Sequence, residues 1–114
     1  MLFYYLFTET FVLADNRAKN LFLTTFDGEH WFPIPYDMDT AIGIDNAGNL
    51  VFEYDAEDTD IVNGATVFSG QKSILWINVR DAFGPELKAM YSNLRSDASK
   101  PFNYNEIRDK MKNH

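Results

Sequence analysis

The sequence predicts an α+β fold: one β-hairpin flanked by helices. Three observations carry that reading. Two short β-rich runs, LFLTTF (21–26) and HWFPIPY (30–36), stand on either side of Asp27-Gly28-Glu29, a good hairpin signal. Residues 73–114 repeat apolar side chains at helical spacing. The 114 residues are 46% apolar and 16% aromatic, enough for one core and too few for two.

Taken in order, residues 2–13 read as a helix apolar nearly all round, hence mostly buried, with LFYYLF in the core. Glu9 interrupts the run far too early for a membrane span, and the absence of Lys or Arg before Arg17 argues against a signal peptide. A chain opening in mid-core is expected to be a piece of something longer. Asp15-Asn16-Arg17 breaks the helix. In the hairpin, Pro33 and Pro35 cannot donate to a ladder, so the second strand is expected at an edge or only briefly paired. Residues 44–72 read as an acidic irregular loop with one short possible strand, LVFEY. Ser73 is the expected N-cap of a helix with Leu75, Val79 and Phe83 on one stripe. Gly84-Pro85 stops it and opens another, striped by Leu87, Met90, Tyr91 and Leu94. Asn103 and Glu106 resemble a capping box before Ile107 and Met111. The chain thus divides into a core at 1–43, the loop at 44–72 and a helical segment at 73–114.

Composition excludes several functions. With no cysteine there is no disulfide scaffold, thiolate zinc site or cysteine nucleophile. A net charge of -7 argues against a nucleic-acid surface, and the whole reads as a soluble, acidic globule. The acids are concentrated: Asp27, Glu29, Asp37, Asp39, Asp45, Glu53, Asp55, Glu57, Asp58 and Asp60 fall between Asn20 and Gln71, where no Lys or Arg occurs. Such carboxylates repel unless solvated, paired from afar, or neutralised by a cation. The cluster Asp55, Glu57, Asp58 and Asp60 suggests calcium, but Thr66 stands where an EF-hand needs its closing glutamate, so a solvated loop is the better reading. His30 and His114 lack catalytic partners and read as packed or surface residues.

Two constellations remain. Asp15 and Asn20 stand five residues apart after the first helix, and Asp37-Met38-Asp39 follows the hairpin's return strand. A hairpin brings the chain back near where it left, so the two segments should be neighbours. Three carboxylates and a carboxamide would form an all-oxygen site suited to magnesium or manganese. Each residue also has an ordinary reading, as a helix-end turn or an Asx turn at a strand end.

The order Asp, five residues to Asn, hairpin, Asp resembles the core of protein kinases. DNRAKN (15–20) with WFPIPYDMDTAIG (31–43) is more similar to the atypical kinases of the spore-coat CotH family, as are Ser73-Ile74-Leu75-Trp76 and the closing helices. The resemblance covers most of the chain and implies a kinase-like C-lobe. It makes Asp15 the carboxylate accepting the substrate hydroxyl proton. It makes Asn20 and Asp37 holders of Mg2+ or Mn2+ on the phosphates of ATP, with Asp39 as a further ligand or orienting group. Arg17 takes the place of a lysine that steadies the transferring phosphate. Asn20 and Lys19 are the nucleotide-contacting candidates, although Lys19 also reads as a solvated loop charge.

The sequence departs from the kinase pattern at Ala14, where His-Arg is usual, and at Asp37-Met38-Asp39, where Asp-Phe-Gly is usual. Only fourteen residues precede Asp15, and the Gly-rich lid and the lysine–glutamate pair are not among them. The expected partner is therefore a missing N-lobe or companion chain, with self-association through the uncovered surface, and the 114 residues alone are expected to be inactive. The rival is a bacteriophage virion or tail structural protein in which the site is relic or architectural. A third reading is an interaction module stiffened by a cation. The expected location is the bacterial cytoplasm or a virion.

Overall fold

A computed structural model describes residues 1–13, 15–42, 44, 47–48 and 73–113. Among the described residues the fold is α+β, with four helices and one two-stranded antiparallel hairpin. The elements are α1 (Leu2–Thr10), β1 (Leu21–Thr25), β2 (Trp31–Pro35), α2 (Ile74–Ala82), α3 (Gly84–Arg95) and α4 (Tyr104–Lys112). Among the described residues no helix is long and apolar enough to cross a membrane.

Helix α1 stops three residues short of the predicted end. Leu13 N–H donates to Thr8 O at 3.0 Å and Val12 N–H to Glu9 O at 3.3 Å, the two bonds of a Schellman turn. The left-handed position of such a turn usually holds glycine, yet here it is Val12, with φ 47. A β-branched residue is strained there. Leu13, tucked behind the turn, is buried.

The hairpin pairs Leu21 with Pro35, Phe22 with Ile34 and Thr25 with Trp31, so β2 is paired along its whole length. Its parity explains how two prolines fit. Tyr36 N–H donates to Asn20 O at 3.2 Å, so positions 34 and 32 also face β1 with their N–H groups. Pro33 and Pro35 fall on the alternate pairs, where no ladder bond is asked of them.

The core joins Tyr4, Tyr5 and Leu6 of α1 to Trp76 and Val79 of α2, Leu87 of α3 and Phe102. Met90, Tyr91 and Leu94 pack against it as the α3 stripe predicts. On α2 the buried pair is Trp76 and Val79, while Leu75 and Phe83 are exposed. The reason is that α2 ends at Ala82, which leaves Phe83 beyond its last turn, and that the Trp76 indole packs against Tyr4 and Tyr5, at 5.7 and 6.4 Å between ring centroids. Ser73 occupies the N-cap position without a side-chain capping bond. Half of the expected capping box forms: Asn103 Oδ1 accepts from Asn105 N–H at 3.0 Å, whereas Glu106 pairs with Lys110 at 3.1 Å.

Candidate functional site

The segment after α1 is a compact turn. Asp15 O accepts from Lys19 N–H at 3.3 Å and from Asn20 N–H at 3.0 Å, so Asp15 and Asn20 close the loop on each other. Lys19 Nζ lies 3.4 Å from Asp15 Oδ1 on the solvent side. Asp15 is half-buried and Lys19 exposed.

The hairpin then returns the chain to this loop. Asn20 Nδ2 donates to Asp37 O at 3.1 Å, and Tyr36 Oη donates to Lys19 O at 3.1 Å. Asp37 has φ 51, a left-handed conformation that aspartate tolerates better than most residues. Beyond it, Thr40 is buried and Ile42 N–H donates to Phe11 O at 2.7 Å, which pins the segment's far end to α1. The expected juxtaposition of the Asp15–Asn20 loop with Asp37 is thus present through backbone and carboxamide bonds.

Their carboxylates are less gathered than the sequence suggests. Among the described residues no three His, Cys, Asp or Glu side chains group closely enough to hold a metal ion, so Asp15, Asp37 and Asp39 form no three-carboxylate cluster. Asp37 and Asp39 are both exposed. Nδ2 of Asn20 is committed to Asp37 O, so within that carboxamide only Oδ1 could act as a hard-oxygen donor to a cation.

Arg17 departs from the role the resemblance implies. Its side chain is fully buried, with Nε donating to Thr8 Oγ1 at 2.9 Å and Nη2 to Glu9 Oε1 at 2.6 Å. The guanidinium also lies 4.5 Å from the centre of the Tyr5 ring. Glu9, the acid that interrupts the apolar helix, is there to receive it. Arg17 O in turn accepts from Trp76 Nε1 at 2.8 Å, which ties α2 to the loop. The cation placed beside Asp15 at the surface is Lys19.

Asn16, which the sequence reading passed over, is fully buried at the centre of this region. Its Nδ2 donates to Asn20 O at 3.1 Å and to Tyr36 O at 2.9 Å, and its backbone carbonyl accepts from Tyr4 Oη at 2.5 Å. Burial pushes the Tyr4 hydroxyl up to about 12 against a smaller downward pull from Arg17, so it remains a donor. No pattern in the sequence distinguishes Asn16 from a solvated loop asparagine.

Elsewhere, the hairpin turn is an ordinary Asx arrangement. The backbone N–H of His30, then its side chain, then the N–H of Glu29 hold the Asp27 carboxyl well below the usual carboxylate range. His30 Nδ1 sits 2.6 Å from Asp27 Oδ2 at the surface. An apolar cleft of about 520 Å³ lies between α1 and β2, lined by Phe3, Phe7, Phe11, Pro33, Pro35 and Phe102. The acidic cluster at residues 55–60, the possible strand LVFEY and His114 lie outside the described residues. No protein-family model matches the chain, and neither does any curated protein or solved structure.

Proposed function

We propose that this chain is the C-lobe core of an atypical kinase of the CotH type, which serves metal-dependent transfer of the ATP γ-phosphoryl group to a protein hydroxyl. The observation that carries the reading is the bond from Asn20 Nδ2 to Asp37 O, which joins a loop Asp–Asn pair to the residue after a hairpin in kinase order. Asp15 takes the proton from the attacking hydroxyl as that oxygen bonds to the γ-phosphorus and ADP departs. Asn20 Oδ1, Asp37 and Asp39 would hold Mg2+ or Mn2+, which supplies positive charge against the phosphate oxygens. Lys19, rather than the buried Arg17, is the cation available to steady the transferring group. The 114 residues contain no Gly-rich phosphate loop, so a companion segment or chain covers the nucleotide, and the chain alone transfers no phosphate.

The test is thermal unfolding with Mn2+. At millimolar Mn2+ the melting temperature is expected to rise, because a ligand that binds only the folded state stabilises it. Asp37→Asn should abolish the rise without straining the backbone, since asparagine accepts a positive φ at least as well. A wild-type curve unchanged at saturating Mn2+ would sink the reading.

The exposed aromatic residues Phe22, Phe32 and Tyr36 favour a second reading, a bacteriophage virion or tail component in which the same carboxylates serve assembly alone.

A further inference from the structure

Both protons of the Asn16 carboxamide are spent on joining the two halves of the candidate site. One goes to Asn20 O, the residue whose side chain is the candidate cation ligand, and the other to Tyr36 O, one residue before Asp37. Asn20 O accepts a further bond from Tyr36 N–H, at 3.2 Å, so three bonds close a small ring between loop and hairpin. Asn16 is itself held from behind by its N–H on Leu13 O at 3.2 Å and by the Tyr4 hydroxyl on its carbonyl. Serine donates once and ionised aspartate not at all, so among side chains of this size only the asparagine amide can hold both carbonyls. Its Oδ1 is buried with no hydrogen-bond partner among the described residues, an arrangement that serves the two donors and not the amide as a whole.

We propose that Asn16 is the positioning residue of this site: it sets the spacing between the Asp15–Asn20 loop and Asp37, and so governs cation binding without touching the cation. The proposal rests on the phosphotransfer reading. Its experiment has two readouts on the whole chain: amide hydrogen exchange at Tyr36 and Asn20, and Mn2+ affinity from paramagnetic resonance. Asn16→Asp keeps the shape and removes both donors when ionised, or one of the two when the buried carboxyl keeps its proton. Val79→Ala, in α2 away from the site, controls for general loss of stability. Asn16→Asp is expected to speed exchange at Tyr36 about tenfold beyond the control. It should also weaken Mn2+ binding by about 10- to 100-fold, the usual effect of losing a residue that orients metal ligands. Asn16→Ser, with one donor left, should fall between, and serves if Asn16→Asp does not fold. Exchange at Tyr36 no faster than in Val79→Ala overturns the proposal. A wild-type chain that binds no Mn2+ overturns the metal reading instead, and exchange alone then decides whether Asn16 fixes the spacing.

Discussion

Arg17 and Glu9 show how one residue's surroundings reverse the role its position in the chain suggests. Both stand out in sequence as charges beside apolar runs, and the structure turns them toward each other at 2.6 Å beneath the Tyr5 ring. Replacing Arg17 by Met keeps the bulk but removes the bonds that the guanidinium gives to Glu9 and Thr8. The expected loss is about 3 kcal/mol, the low end for breaking a buried pair because Glu9 is still partly in contact with water. Urea unfolding reads it directly, and a loss below roughly 1 kcal/mol would assign the pair to the weak surface class. Arg17→Lys should recover only part of it, since an ammonium has neither the planar fork nor the stacking face. Asn16 and Arg17 share a difficulty for sequence reading: neighbouring polar residues in a break look solvated, and only a third element packed over them reveals otherwise.

That third element is α2. Trp76 Nε1 donates to Arg17 O while its ring packs against those of Tyr4 and Tyr5, so one side chain fixes a helix, a loop and a second helix. Trp76→Phe keeps most of the apolar contact and takes the indole donor away from a buried carbonyl. It should cost about 1–3 kcal/mol, and the loss should appear in the exchange of the 15–20 loop as well as in global unfolding. A variant that destabilises α2 and leaves the loop's exchange unchanged would remove this link. At this scale the hairpin was readable, because Asp27-Gly28-Glu29 and the two β-rich runs are local signals, as was the α3 stripe. The end of α1 was not, because Val12 stands where a glycine would have announced the turn. The α2 stripe was misassigned because a helix of nine residues fits more than one face, and the bulk of tryptophan chose between them.

For the molecule as a whole, the hairpin buries one face better than the other. Pro33 and Pro35 face α1, whereas Phe22, at 62% exposure, and Phe32, at 50%, point away beside Ile34. Phe26, at the turn, is 95% exposed. Apolar side chains so grouped favour association, so sedimentation velocity is expected to show species heavier than the monomer, growing with concentration. Phe22→Thr with Phe32→Thr keeps strand propensity and should leave a monomer. A wild-type chain monomeric throughout, or a double variant that associates equally, would count against this face. The parts of the site that were legible in sequence are those joined through the hairpin, since strand pairing returns Asp37 to Asn20 whatever the side chains do. The convergence of the carboxylates, which the sequence leads one to expect, is absent among the described residues, because backbone proximity leaves open which way exposed aspartates point.

The two prolines of β2 have a consequence for how such association can proceed. Their parity turns the would-be N–H groups of residues 33 and 35 away from β1, toward the outer rim, and proline supplies none. Beyond the N–H of Trp31, that rim therefore shows an arriving chain carbonyl oxygens without the donors a new strand must find at 33 and 35. Templated fibril growth needs a ladder that can be continued on both sides, and here one side lacks the N–H groups of two successive ladder positions. An aromatic surface that would otherwise invite stacking into cross-β fibres is thus limited to closed, finite contacts through its face.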